Sequence, residues 1–133
     1  MVMMTNESLR LLDANLNRLR EGIRVVEDIY RYIFNDKATA TELKTLRHST
    51  RISLYDELLT SRDIKNDVLK SSTKSEQTRG NLQDILISNF KRAQESARVL
   101  EEFGKLIDTN TSEKFKSIRY KLYDLEKANI TKV

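Results

Sequence analysis

The sequence predicts an all-α protein: an antiparallel helical bundle of about four main helices, built from two pseudo-symmetric helix hairpins. Three observations carry this. Proline is absent and glycine occurs only at positions 22, 80 and 104, whereas sheets and barrels need many turns rich in both. One third of the residues are charged, dominated by Lys, Arg and Glu beside abundant Leu and Ile, which is a helix-forming composition. Apolar residues also recur at the helical period: at 100° per residue, Leu12, Leu16, Leu19, Ile23, Val26 and Tyr30 fall in one arc of about 100°. A chain of 133 residues is long enough for one domain with a real core, and is read as a single domain over 1–133.

The first helix is predicted from Asn6 to Phe34, capped by Thr5 or Asn6 and stopping at Asn35-Asp36. The second opens on Thr39, with Glu42 three residues on completing a capping box, and runs to about Thr60. The third opens on the same device, Thr73 and Glu76, and continues to about Asp108. The fourth runs from near Thr111 toward Asn129. Short links within each pair make two antiparallel hairpins. The connection between them, roughly Ser61 to Ser72, is longer than structure requires, and such connections are often functional.

The two hairpins share a word. "NLNRLREGIRVVEDI" (Asn15–Ile29) and "NFKRAQESARVLEEF" (Asn89–Phe103) agree at Asn15/Asn89, Arg18/Arg92, Glu21/Glu95, Arg24/Arg98, Val25/Val99 and Glu27/Glu101, an offset of 74 residues. "ELKTLRH" (Glu42–His48) resembles "KFKSIRY" (Lys114–Tyr120) at an offset of 72. The chain therefore reads as an internal duplication, about 6–60 and 75–130, joined by a loop over 61–74.

Absences narrow the chemistry. Without cysteine there is no disulfide, thiolate nucleophile or Cys-bound metal, and the single His48 cannot make a two-imidazole site. His48 forms a basic cluster with Arg47 and Arg51 and is read as structural. No apolar run is long enough for a signal peptide or a membrane span, so no membrane is expected and the default location is the cytoplasm. A net charge of +4 favours an anionic partner. The acidic and basic residues are interleaved, however, so small phosphorylated ligands suit it better than nucleic acid. No glycine-rich phosphate loop is present.

Candidate site residues come from the repeated word and the connection. Asn15 and Arg18 point into the same broad arc as the apolar stripe beside Gly22, and Asn89 and Arg92 do so beside Ser96. Glu21 and Glu95 lie one turn from their arginines. Two readings stand: structural Arg–Glu ion pairs between the hairpins, or a shared polar cleft in which Arg forks hold phosphate and Asn reads a heterocycle. Arg24, Glu27, Arg98 and Glu101 are read as a solvated face, and Tyr55, Tyr120 and Tyr123 as packing residues. In the connection, Arg62, Asp63 and Asp67, followed by Arg79, are candidates for holding Mg²⁺ and phosphates.

Four stretches in order carry a resemblance: "LLDANLNRLREGIRVVED", "LRHSTR", "RDIKNDV" and "NFKRAQESARVLEEF". Over about residues 8–127 the chain resembles the helical hydroxymethylpyrimidine-phosphate kinase domain. That domain occurs alone or fused to the N-terminus of thiamine-phosphate synthases. Leu69 departs from it, standing where that family's loop is expected to carry glycine. The resemblance implies ATP- and Mg²⁺-dependent phosphorylation of 4-amino-5-hydroxymethyl-2-methylpyrimidine phosphate to the diphosphate, in functional coupling to thiamine-phosphate synthase and with a homodimer as a further expectation. It implies substrate-binding roles for Asn15, Arg18, Glu21, Arg79, Asn89, Arg92 and Glu95. Arg62, Asp63 and Asp67 take the catalytic roles, and both aspartates the metal. The alternative is a non-catalytic interaction or dimerisation module associated with that synthase. No βα pattern is present, so the chain itself is not expected to join pyrimidine to thiazole.

Overall fold

The structure is a computed structural model and describes residues 4–132; positions 1–3 and 133 of the expected domain lie outside them. Helix α1 (Asn6–Asp28) opens on Thr5, whose hydroxyl accepts the Ser8 N–H. After Asp28 it widens into one π-helical turn, Ile29–Ile33, in which the Phe34 N–H reaches back to the Ile29 carbonyl. Asn35 then reverses the chain at φ 50, a conformation that Asn tolerates better than most residues.

Helix α2 (Lys37–His48) opens earlier than expected. Asp36 caps it, accepting the Thr39 N–H at 3.1 Å and the Thr39 hydroxyl at 2.7 Å. Thr39 is therefore the third helical residue, not the cap. Helix α6 (Thr109–Asn129) repeats the device: Asp108 accepts the Thr111 N–H at 2.7 Å. In both places an aspartate closes the short link from the previous helix, and that carboxylate captures the first free donors.

The long second and third helices of the sequence reading are each broken. Helix α2 stops at His48 because the Ser49 and Thr50 hydroxyls donate back to the Leu46 and Arg47 carbonyls. The chain resumes as α3 (Tyr55–Ser61). Thr73 does cap a helix with Glu76, but only one turn, α4 (Lys74–Gln77). The main helix α5 (Leu82–Gly104) opens separately, on Asn81 accepting the Asp84 N–H at 2.9 Å.

Helices α1 and α5 lie together at the centre. Helices α2 and α3 pack on α1, α6 packs on α5, and α2 touches α6 at one edge. Pairings run in opposite senses: the Thr39 hydroxyl of α2 lies 2.9 Å from the side-chain oxygen of Asn129 of α6, while Glu42, further along α2, faces Lys121, earlier on α6. Neighbouring helices are thus antiparallel. The core between them is built from residues such as Leu12, Leu19, Ile23, Phe90, Leu100 and Phe115, each fully buried. At the α1–α5 contact Gly22 lets the backbones close. A Cβ there would stand 3.1 Å from the Asn89 carbonyl oxygen and 3.3 Å from the Ala93 Cβ.

Two charged residues read as solvated belong to the core edge. Glu27 is 1% exposed and Glu101 6%. Arg47 of α2 donates to both Glu27 oxygens, Nε at 2.7 Å and Nη2 at 3.2 Å. Arg119 of α6 donates from Nε and Nη2 to Glu101 Oε1, at 3.1 and 2.8 Å. The helical period explains the correction. Rotation puts Glu27 only about 20° beyond Leu16, next to the apolar stripe rather than opposite it. Arg24 and Arg98 do lie on the outer face. Tyr55, Tyr120 and Tyr123 are also corrected: all three are exposed, and the last two stack around Arg119, 4.9 and 5.8 Å from its guanidinium carbon.

Glu27→Ala strands the Arg47 charge, whose side chain is only 12% exposed. Loss of one partner from such a pair costs about 3–5 kcal/mol. Chemical denaturation is expected to show that loss for Glu27→Ala and for Glu101→Ala. Arg24→Ala removes only the exposed Arg24–Asp28 contact at 3.4 Å and is expected to change stability by less than about 1 kcal/mol.

Candidate functional site

The segment after α3 crosses the outer face of α1 and is clamped there twice. Arg62 donates Nε and Nη2 to the two oxygens of Asp13, both at 2.8 Å. Arg10 of α1 donates Nη2 to the Asp63 carbonyl at 2.8 Å. Between α1 and this segment lies a cleft of about 450 Å³, lined by Arg10, Asp13, Ala14, Asn17, Arg18, Glu21, Arg62, Asp63, Ile64 and Asp67.

The segment also organises itself. Asp63 accepts the Asn66 N–H at 3.1 Å and its side-chain amide at 2.7 Å, and Asp67 accepts the Leu69 N–H at 2.9 Å. These are local turns closed by aspartate. The bonds from Asn66, helped by the Arg10 charge, hold the Asp63 carboxyl below its ordinary range. Asp13 fastens Arg62, and its hydrogen bonds raise that guanidinium.

Three guanidiniums face four carboxylates in the cleft, a formal balance of −1. Arg62 and Asp13 are committed to each other. Arg18 makes no ion pair among the described residues, and neither does Glu21, so the expected Arg18–Glu21 pair is absent. Arg18 is therefore available to an incoming anion. Among the described residues no three His, Cys, Asp or Glu side chains cluster closely enough to hold a metal by themselves.

Of the residues singled out in the sequence, Arg18, Glu21, Arg62, Asp63 and Asp67 meet in this cleft. The others do not. Asn15 is buried and donates to the Leu11 carbonyl at 3.0 Å; Asn89 does the same to Ile85 at 2.8 Å. Both amides serve their own helices. Arg92 and Glu95 are exposed on α5 away from the cleft, and Arg79, ahead of α5, donates to the Thr78 carbonyl at 2.9 Å. About 60° of helix rotation separates Asn15 from Arg18, and the core boundary runs between them. The pair expected to work together is therefore split, one inward and one outward.

The profile of the ThiD2 family matches residues 10–128. The chain belongs to the ThiD2 family. Similar relatives are the thiamine-phosphate synthases of Thermosynechococcus vestitus, 43% identical over 120 residues, and of Synechocystis sp., 41% identical over 118. A third, from Rhodopirellula baltica, is 39% identical over 120 residues. The matches cover 90%, 88% and 86% of this chain, but only 34%, 34% and 32% of those proteins. The ThiD2-family chain thus spans about a third of the length of these relatives. No solved structure matches it. No described helix is long and apolar enough to cross a membrane.

Three polar lining residues of this ThiD2-family cleft were not among those singled out: Arg10, Asp13 and Asn17. A signal existed. At the repeat offset they face Asp84, Ile87 and Lys91, so all three are places where the two halves differ. Arg18 and Glu21 are repeated in the second half, but these three supply the part of the cleft that only the first half has.

Asp13→Ala is expected to release Arg62 and speed hydrogen exchange of the amides over 62–70, with Glu27→Ala not doing so selectively. Lowering pH acts on the same segment. The folded Asp63 carboxyl titrates below its unfolded value, so its contribution is present at neutral pH and lost as pH falls through the folded value. The Asn66 amide resonance is expected to move in that acid range, below the ordinary carboxylate midpoint.

Proposed function

We propose that the chain is a thiamine-biosynthesis kinase. It transfers the γ-phosphoryl group of ATP to 4-amino-5-hydroxymethyl-2-methylpyrimidine phosphate, giving the diphosphate. The observation that carries the proposal is one cleft that joins Arg18 and Arg62 with Asp63 and Asp67. ThiD2-family membership and kinship to part of proteins named thiamine-phosphate synthase support it.

In this reading an oxygen of the acceptor phosphate attacks the γ-phosphorus. A new P–O bond forms, the bond from the γ-phosphorus to the bridging oxygen breaks, and ADP leaves with the electron pair. The acceptor is already ionised at neutral pH, so no general base is required; positioning and charge neutralisation carry the catalysis. Arg18 and the free part of the Arg10 fork meet phosphate oxygens. Arg62, locked by Asp13, holds the wall of the cleft in place. The donor set fits Mg²⁺ bound largely by nucleotide phosphates and water, with Asp63 and Asp67 as its carboxylates. Bound there, it supplies the positive charge that the cleft lacks.

The test is to incubate the folded protein with ATP, Mg²⁺ and the pyrimidine monophosphate and follow the diphosphate by ³¹P NMR. Arg18→Ala is expected to lower kcat/KM by about 100-fold. Arg92→Ala, away from the cleft, is expected to stay within about twofold. Absence of diphosphate with the native chain overturns the proposal. Sensitivity to Arg92 but not to Arg18 moves the chemistry out of this cleft.

A further inference from the structure

At the far end of α1 lies a second recess, of about 340 Å³, with the opposite electrostatic character. Arg31, Lys37 and Lys44 line it with Asn35 and Thr41. The acid in its wall, Glu27, is already neutralised by Arg47 at 2.7 Å. The nearby Asp36 carboxylate is turned to Thr39. Among the described residues no carboxylate pairs with Arg31, Lys37 or Lys44. Three cations therefore crowd one recess without a counter-charge, an arrangement that repels itself until an anion enters.

The internal repeat shows that the scaffold does not require all three. The Glu27–Arg47 bridge is reproduced as Glu101–Arg119. At the same offsets, Lys37 faces Thr109 and Thr41 faces Glu113, while Lys44 faces another lysine, Lys116. Arg31 faces Lys105, which is quenched by Glu102 at 3.1 Å. The second half keeps the fold and lacks the unpaired triad. The opening turn of α2 holds no acidic residue, as in α6, and brings the positive end of its dipole to the recess.

We infer that this recess is a binding site for a multiply charged phosphate anion of the diphosphate class, free or as part of a nucleotide. It is separate from the cleft: Arg31 lies roughly 20 Å along α1 from Arg18 at 1.5 Å per residue. One phosphate group cannot touch both. The inference does not rest on the kinase reading, and its test reads binding alone.

Pyrophosphate is titrated calorimetrically into the full chain with chelator present, so that the net-negative cleft has no metal to recruit the anion. Saturable binding that weakens with added salt is expected. Combined Arg31→Gln, Lys37→Gln and Lys44→Gln, with helicity checked by circular dichroism, is expected to weaken it at least tenfold. Arg18→Ala is expected to leave it unchanged. ATP is then competed against pyrophosphate: displacement by ATP at lower concentration identifies a nucleotide, and at higher concentration the free anion. Absence of saturable binding overturns the inference. So does unchanged affinity in the triple variant, or loss of binding with Arg18→Ala.

Discussion

A carboxylate removed from water must find a cation, and Glu27 and Glu101 are almost wholly removed. Each meets one arginine from the helix that follows in its own hairpin. A pair of this kind adds little net stability over well-packed apolar residues, but a slipped register would leave both charges stranded. The two bridges therefore set how α2 docks on α1 and how α6 docks on α5. Everything else hangs from that alignment. The α1–α5 contact can close at Gly22, the aspartate caps can fall at the corresponding starts of α2 and α6, and the outer face of α1 is left clear of its partner helices.

That outer face becomes a cleft because only one half of the molecule covers it. The chain leaves α3 at Arg62 and is caught by Asp13; Arg10 takes hold of the next carbonyl. The second half has no such device, since Ile87 stands at the position of Asp13. Arg92 and Glu95 consequently remain on an uncovered surface while Arg18 and Glu21 line an open cleft. The repeat builds symmetry into the scaffold, and a few unshared residues break it where ligands would enter.

Charge separates the two recesses at opposite ends of α1. In the cleft, carboxylates outnumber guanidiniums, so an anion arrives most readily with a metal ion. At the α1–α2 corner the cations stand alone, so an anion needs none. The apolar tip of the connecting segment, with Val68 94% and Leu69 83% exposed, lies beside the cleft rather than the corner. The glycine expected at position 69 of the loop is replaced by this exposed leucine, whose N–H holds Asp67. Leucine meets that backbone demand as well as glycine would, so the departure leaves the turn intact.

Read alone, the residues determined the helical class, the stripes that face the core, the two-hairpin plan and five of the ten residues that meet in the cleft. These are local or periodic properties, written in composition, in the 3.6-residue spacing and in a repeated word. Helix ends were less legible, because Asp36, Asn81 and Asp108 won against nearby threonines through geometry that depends on how the chain leaves the preceding helix. Tertiary structure alone decided which charged residues are buried. Glu27 goes inside against Arg47 from α2, and Glu101 against Arg119 from α6 together with Arg98 of its own helix. It also decided that Asn15 and Arg18, about one turn apart in the same word, fall on either side of the core boundary. A helix presents every side chain to some direction, and only the packed neighbours determine which directions hold water.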